Sequence, residues 1–301
     1  MKHLNIYKNE SFNMKPLATY ITEYIIKKKL DKPIDSEYQY HPNSKEELTK
    51  NIQELISNKI YDFNCIDTSE ITDMSNLFGD IVNNINKINF DVSKWDVSNV
   101  TNMASMFGGC ESFEGKGLEN WNVSNVINME FMFVDCKSFK GKGLENWDIS
   151  NVENMKYMFY SCKDFDCDLS SWDVSKVTHM DNMFDGCNKF EGKGLENWDV
   201  SNVEISSFMF VKCENLNCDL SKWDVRNIIR MSSMFSYCKK FEGKGLENWD
   251  ISNVVSLRNM FKGCENFDCD FSKWNVSNVV DTTNMFYGCI ALKNKPSWYK
   301  E

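Results

Sequence analysis

Apolar side chains recur along this chain with a fixed step. Trp stands at 95, 121, 147, 172, 198, 223, 249 and 274, a spacing of 26 or 25 residues each time. Counted from Trp as position zero, each unit reads W-[DN]-[VI]-S-N-V-x-x-M-x-x-M-F-x-x-C-x-x-F and then turns. Position twelve is Phe throughout (Phe107 to Phe286), position fifteen is Cys (Cys110 to Cys289), and position eighteen is Phe or Leu (Phe113 to Leu292). Ser206, Leu257 and Thr282 replace the first Met, and Arg226 replaces a Ser. A period of this size marks one supersecondary unit stacked on copies of itself, a solenoid.

Two shorter periods lie inside the unit. Trp and Val at positions zero and two alternate with Asp and Ser, which predicts a short half-buried strand. Met, Met, Phe and Cys at eight, eleven, twelve and fifteen follow i, i+3, i+4, i+7, the stripe of an amphipathic helix of about two turns. So short a helix is held only by burying that stripe, with Thr101, Thr178 or nearby Asn residues as caps. Units one, two, four and six close through GKGLEN, whose glycines admit positive φ. Units three, five and seven use a turn one residue shorter, Cys-Asp-[LF]-Ser, at Cys167, Cys218 and Cys269.

The ends follow other patterns. Residues 1–43 form an extension in which 16–30 reads as a helix, with Leu17, Ile21, Tyr24 and Ile25 on one face, before a linker with two prolines. Residues 44–94 read as an N-terminal cap. Ser44 and Glu47 make a capping box for a helix with Leu48, Ile52, Leu55 and Ile56 on one side, and Ile66 to Phe78 is a degenerate unit. Residues 95–298 hold the eight units and a terminal strand, where Pro296 is expected to blunt the edge; 299–301 are a tail.

The string WDVSNVTNMASMFGGC, Trp95 to Cys110, resembles the 26-residue bacterial surface protein repeat, the BspA-like class of leucine-rich-repeat proteins. The resemblance covers roughly residues 44–298. It implies an α/β repeat fold, a right-handed leucine-rich-repeat-like solenoid of short parallel strands and short helices. In the best-known members it also implies surface display and adhesion. It brings no catalytic residue with it.

Charge narrows the function classes. The net charge is −10, and the Lys residues of the GKG turns lie among acidic neighbours, which disfavours nucleic-acid binding through phosphates. Eight of the twelve cysteines share position fifteen on the apolar stripe and read as a ladder of buried free thiols. Three histidines and no CxxC pair argue against a metal or other cofactor. No run approaches a membrane span, and residues 1–13 lack the apolar stretch of a signal peptide. The expected location is the cytoplasm or the interior of a virion or host cell, with the cell surface as the alternative.

Two candidate faces remain. Position one carries Asp96, Asn122, Asp148, Asp173, Asp199, Asp224, Asp250 and Asn275. Such a row either accepts hydrogen bonds from the following turn or, through Asp148, Asp173, Asp199, Asp224 and Asp250, offers an acidic face to a basic partner. Position ten, on the outer side of the expected helix, carries Phe131, Tyr157 and Phe208, extended at position thirteen by Val134, Tyr160, Val211 and Tyr287 and by Tyr237 at fourteen. Aromatics at variable positions of a constant scaffold suggest a contact surface, unless the neighbouring unit covers them. No Ser–His–Asp set or phosphate-cradling loop is present. The expectation is a non-catalytic protein–protein interaction scaffold with a protein partner. The alternatives are a surface adhesin binding host or matrix proteins, a carbohydrate-active enzyme, and a structural component of a viral or phage particle.

Overall fold

A computed structural model of the chain describes residues 38–300. The helix expected over 16–30 lies outside the described residues. From Tyr40 onward a single apolar core runs from Leu48 to Phe286. Helix α1, Lys45–Ser57, opens this body; Ser44 caps it by accepting from the Glu47 amide at 3.3 Å. The Glu47 carboxylate reaches back to the amide of Asn43 at 3.1 Å, one residue earlier than the usual capping box. Leu48, Ile52 and Leu55 are buried, and Lys45 donates to the Asp73 carboxylate and the Ser75 hydroxyl of the first coil. A short helix α2, Val82–Ile85, sits in the enlarged turn that follows.

The repeats stack as coils, and the coils do not have the elements their periodicity predicts. The two-turn helix expected over positions eight to fifteen does not form. In all eight coils the residue at position ten is left-handed, with φ between 55° and 63°, although it is never Gly. The residue at position fourteen is left-handed too, with φ between 58° and 82°. A helix cannot pass through such residues. The segment is instead a chain of tight turns: in the first coil the amides of Met106, Gly108 and Cys110 donate to the carbonyls of Met103, Ser105 and Phe107. These turns aim positions eight, eleven, twelve and fifteen inward, as a helix would.

The strand expected at positions zero to two is also absent, because a turn from Val100 to Val97 bends the backbone there. Pairing between the coils is by one-residue parallel bridges at position seven, running from Asp73 through Asn102, Asn128, Asn154, His179, Ile205, Arg230 and Ser256 to Asp281, with two further bridges in the cap, Tyr40 to Ile66 and Asp62 to Asp91. Around each bridge the amides left over by the turns point to the next coil. Met103, Ser105, Phe107 and Gly109 donate to the carbonyls of Asn128, Glu130, Met132 and Val134. The coil is therefore knit by alternate amides, one set closing turns and the other joining coils.

Side chains repeat the same arithmetic. The position-twelve rings from Phe78 to Phe286 follow one another at 5.4–5.9 Å. Each such ring is buried, contributing roughly 1.5–3 kcal/mol. All nine Trp indoles donate to a backbone carbonyl of the coil before, at 2.7–3.3 Å. From Cys136 to Cys289 each position-fifteen thiol donates to the preceding position-twelve carbonyl at 2.9–3.1 Å. The twelve cysteines are free, and burial pushes the Cys110 thiol up to about 12. A packed thiol with its own acceptor is held neutral and unreactive.

The two turn lengths fit together. Lys193 and Lys244 of the long turns pair with Asp168 and Asp219 of the preceding short turns, at 2.6 and 2.7 Å. The second glycine of each long turn is required sterically: a Cβ on Gly194 would lie 2.2 Å from the Ser170 amide nitrogen, and φ there is 96°.

The left-handed residue at position ten is testable. Ser105 makes its inter-coil bond through its amide alone, so Ser105→Gly keeps the bond and relieves the backbone. We expect a gain of up to about 1 kcal/mol in urea unfolding, with Ser105→Val losing about 1–3 kcal/mol. Equal midpoints for the two variants would show that position ten is not left-handed.

Candidate functional site

The carboxylates at position one are built into the turns. Each Asp or Asn of the row accepts the amide of the residue two further on: Asp148 from Ser150, Asp173 from Ser175, Asp199 from Ser201, Asp224 from Arg226, Asp250 from Ser252, all at 3.0–3.2 Å. These are Asx turns. The hydroxyl and amide of Ser175 hold Asp173 below the usual carboxylate range, Ser252 does the same for Asp250, and the Arg226 guanidinium does so for Asp224. Asp224 is also ion-paired to Arg226 at 2.6 Å. The row is engaged locally, and at Asp224 both carboxylate oxygens are taken up by Arg226.

The aromatic residues divide. Phe131 and Tyr157 stack across neighbouring coils with centroids 4.6 Å apart, and Tyr160 lies 5.6 Å from Tyr157. All three are half-buried by this mutual cover. Phe208 stands apart, 43% exposed, with the nearly buried Asn182 in the intervening coil. The structure therefore brings together Phe131, Tyr157 and Tyr160 and leaves Phe208 outside the group. Asp185, at position thirteen of the fourth coil, acts on Tyr160 through space and raises the phenol. Burial lifts the Asp185 carboxyl itself to about 6, with Lys212 pulling the other way.

A wide, shallow concavity lies elsewhere, over positions four and six. A shallow groove of about 830 Å³ is lined by Glu153, Lys176, Thr178, Asn202, Glu204 and Ile229, among others. A second, of about 370 Å³, shares Glu153 and Lys176 and continues over Thr101 and Ile127. The floor is an asparagine ladder. In seven coils the position-four Asn donates its Nδ2 to the position-three carbonyl of the coil before, at 2.6–2.9 Å. That leaves the carboxamide oxygens facing the groove. Lys176 interrupts the ladder and donates to Asn151 Oδ1 at 2.6 Å. Position six carries Thr101, Ile127, Glu153, Thr178, Glu204, Ile229, Val255 and Val280; Ile127 and Ile229 are each 46% exposed. A position four that is Asn in seven of the eight coils, beside a changing position six, was the sequence signal for this groove.

Among the described residues no group of three or more His, Cys, Asp or Glu is placed to hold a metal ion. No helix among them is long and apolar enough to cross a membrane.

The raised Asp185 carboxyl makes stability depend on pH. Its native value lies above the unfolded one, so its stabilising proton is present at about pH 4 and lost as pH rises through about 6. Asp185→Asn removes that loss. We expect a gain of about 1 kcal/mol at pH 7.5, reduced by partial exposure, and almost none at pH 4. A gain that is the same at both values would separate the effect from ionisation.

The family described as "Mycoplasma protein of unknown function, DUF285" matches the chain over residues 46–142, 134–244 and 207–300. Among curated proteins none matches it. Among solved structures, the functional domain of InlJ from Listeria monocytogenes, described as including a cysteine ladder, is similar at 10% identity with a TM-score of 0.20. That match covers 76% of this chain and 58% of the other, so the chain spans less than two thirds of the InlJ domain. At that score the likeness carries no argument.

Proposed function

The chain belongs to this family of unknown function, and from that premise we propose that it is a non-catalytic protein–protein interaction scaffold of the leucine-rich-repeat kind. The stack is read as a solenoid with BspA-like repeats, a reading supported by the one-residue parallel bridges that join every coil from Asp73 to Asp281.

The observation that carries the functional reading is the groove at positions four and six. Its floor is a row of Asn carboxamides fixed by bonds to the backbone and broken at Lys176, which takes up the Asn151 oxygen. Its wall changes from coil to coil and offers Glu153, Glu204, Ile127 and Ile229 in fixed places. A rigid frame with variable exposed side chains loses little entropy on binding. Acceptors and carboxylates suit a partner that presents hydrogen-bond donors and basic side chains along an extended segment. Free thiols throughout suit a reducing compartment.

The test is capture of partners by the intact protein beside two variants of equal circular dichroism. Glu153→Lys with Glu204→Lys is expected to weaken partner binding at least about tenfold, whereas Phe208→Ser leaves it unchanged. A partner lost only with Phe208→Ser would move the contact surface to the aromatic face, and one indifferent to both would sink the groove reading.

A further inference from the structure

The wall of the groove is arranged symmetrically about one coil. At position six Ile127, Glu153, Thr178, Glu204 and Ile229 follow one another, a row that reads the same in either direction from Thr178. The central coil is also the one whose position four is Lys176 rather than Asn. The two shallow concavities adjoin there, sharing Glu153 and Lys176, so the five residues line one trough from Ile127 to Ile229.

The backbone fixes the spacing of this row. Each position-six amide donates to the position-six carbonyl of the coil before: Ile127 to Thr101, Glu153 to Ile127, Thr178 to Glu153, Glu204 to Thr178 and Ile229 to Glu204, at 2.9–3.1 Å. Direct bonding of this kind sets neighbouring coils about 4.8 Å apart, which puts Glu153 and Glu204 roughly 9–10 Å from one another. Both glutamates are exposed, and neither carboxylate has an ion-pair or hydrogen-bond partner among the described residues. Between them the Thr178 hydroxyl lies 2.8 Å from His179 Nδ1, and the Lys176 ammonium is directed to Asn151 Oδ1. Along its length the trough is therefore apolar, acidic, cationic, acidic and apolar, and Lys176 repels a third basic group at the centre.

Regular chain conformations present side chains at different intervals. A strand repeats one face about every 6.7 Å, an α-helix returns about every 5.4 Å, and a polyproline-II helix repeats every three residues, about 9.3 Å. The last interval matches the two glutamates. Residues seven apart on an α-helix would also span them, but a helix uses its amides internally, whereas polyproline-II backbone leaves its amides free. The floor calls for such amides. The Asn125, Asn202 and Asn227 carboxamides spend their Nδ2 groups on the backbone, and their oxygens have no donor among the described residues.

We propose, on the footing of the groove reading above, that the trough binds a polyproline-II segment of a partner protein with basic side chains at i and i+3, one on Glu153 and one on Glu204. Apolar residues beyond the pair lie against Ile127 and Ile229, and backbone amides of the segment donate to the free carboxamide oxygens. Arginine suits the two basic positions, because its planar fork pairs with a carboxylate through two hydrogen bonds.

The probes are two fluorescent octapeptides of one composition, titrated against the full chain. In Leu-Pro-Arg-Pro-Pro-Arg-Pro-Leu the arginines stand three apart; in Leu-Pro-Pro-Arg-Arg-Pro-Pro-Leu they are adjacent. The prolines hold both peptides extended. The first is expected to bind at least about tenfold more tightly than the second. Glu153→Gln with Glu204→Gln, two exposed positions, is expected to abolish that preference while leaving circular dichroism unchanged. Equal binding of the two peptides, lost in the double variant, would overturn the spacing and leave the groove reading standing. Binding that persists in the double variant, or no binding of either peptide, would overturn both.

Discussion

Everything in this molecule depends on how the backbone amides of positions eight to fifteen are divided. A helix would use all of them within one segment, and a strand would use them only between segments. Here alternate amides close i to i+3 turns and the others reach the next coil. That division needs left-handed residues at positions ten and fourteen, a local cost of roughly 1–2 kcal/mol for each non-Gly residue. The return is that neither set of amides is left unsatisfied within the stack, where an orphaned buried N–H would cost more. The fold is thus a compromise made at every coil and repaired by the next one.

The side-chain ladders follow from that compromise rather than standing beside it. Because coils repeat in register, any group that reaches the coil before it does so in every copy. The indole N–H, the thiol and the position-four carboxamide each find a carbonyl in the preceding coil. This is why Trp, Cys and Asn recur at fixed places: each is a donor, placed where the coil before has a carbonyl to spare. Leu or Phe at position zero would bring no donor and leave the carbonyl with its turn amide alone.

Legibility in the sequence tracks this logic. The stacking, the N-cap at Ser44, the buried thiols and the Asx-turn role of Asp173 or Asp250 could be read from spacing and residue type. The helix and strand could not. Met103, Met106, Phe107 and Cys110 sit at i, i+3, i+4 and i+7, and a run of tight turns with left-handed corners buries that set as well as a helix does. Hydrophobic periodicity reports which side chains face inward and is silent on where the amides go. The corners were hidden because Ser105, Phe131 and Tyr157 are not glycines, and their left-handed backbone goes with amides that reach the next coil. On a helix position ten points outward; here Phe131 and Tyr157 lie on each other. The asparagine floor was missed because a constant polar residue in a turn looks like turn chemistry alone.

Polarity is the last consequence of the amide division. An ordinary parallel sheet mixes donors and acceptors on both edges, so its two ends pose the same problem. In this stack the carbonyls of positions seven, nine and eleven face one way and the amides of eight, ten and twelve the other. Position six runs the other way, its amide donating to the carbonyl of the coil before, as Ile127 does to Thr101 and Glu153 to Ile127, so each end carries both kinds of group in a different arrangement. Before the degenerate coil, α1 brings an ammonium group, Lys45, to the side chains of Asp73 and Ser75 and adds its own apolar face to the core.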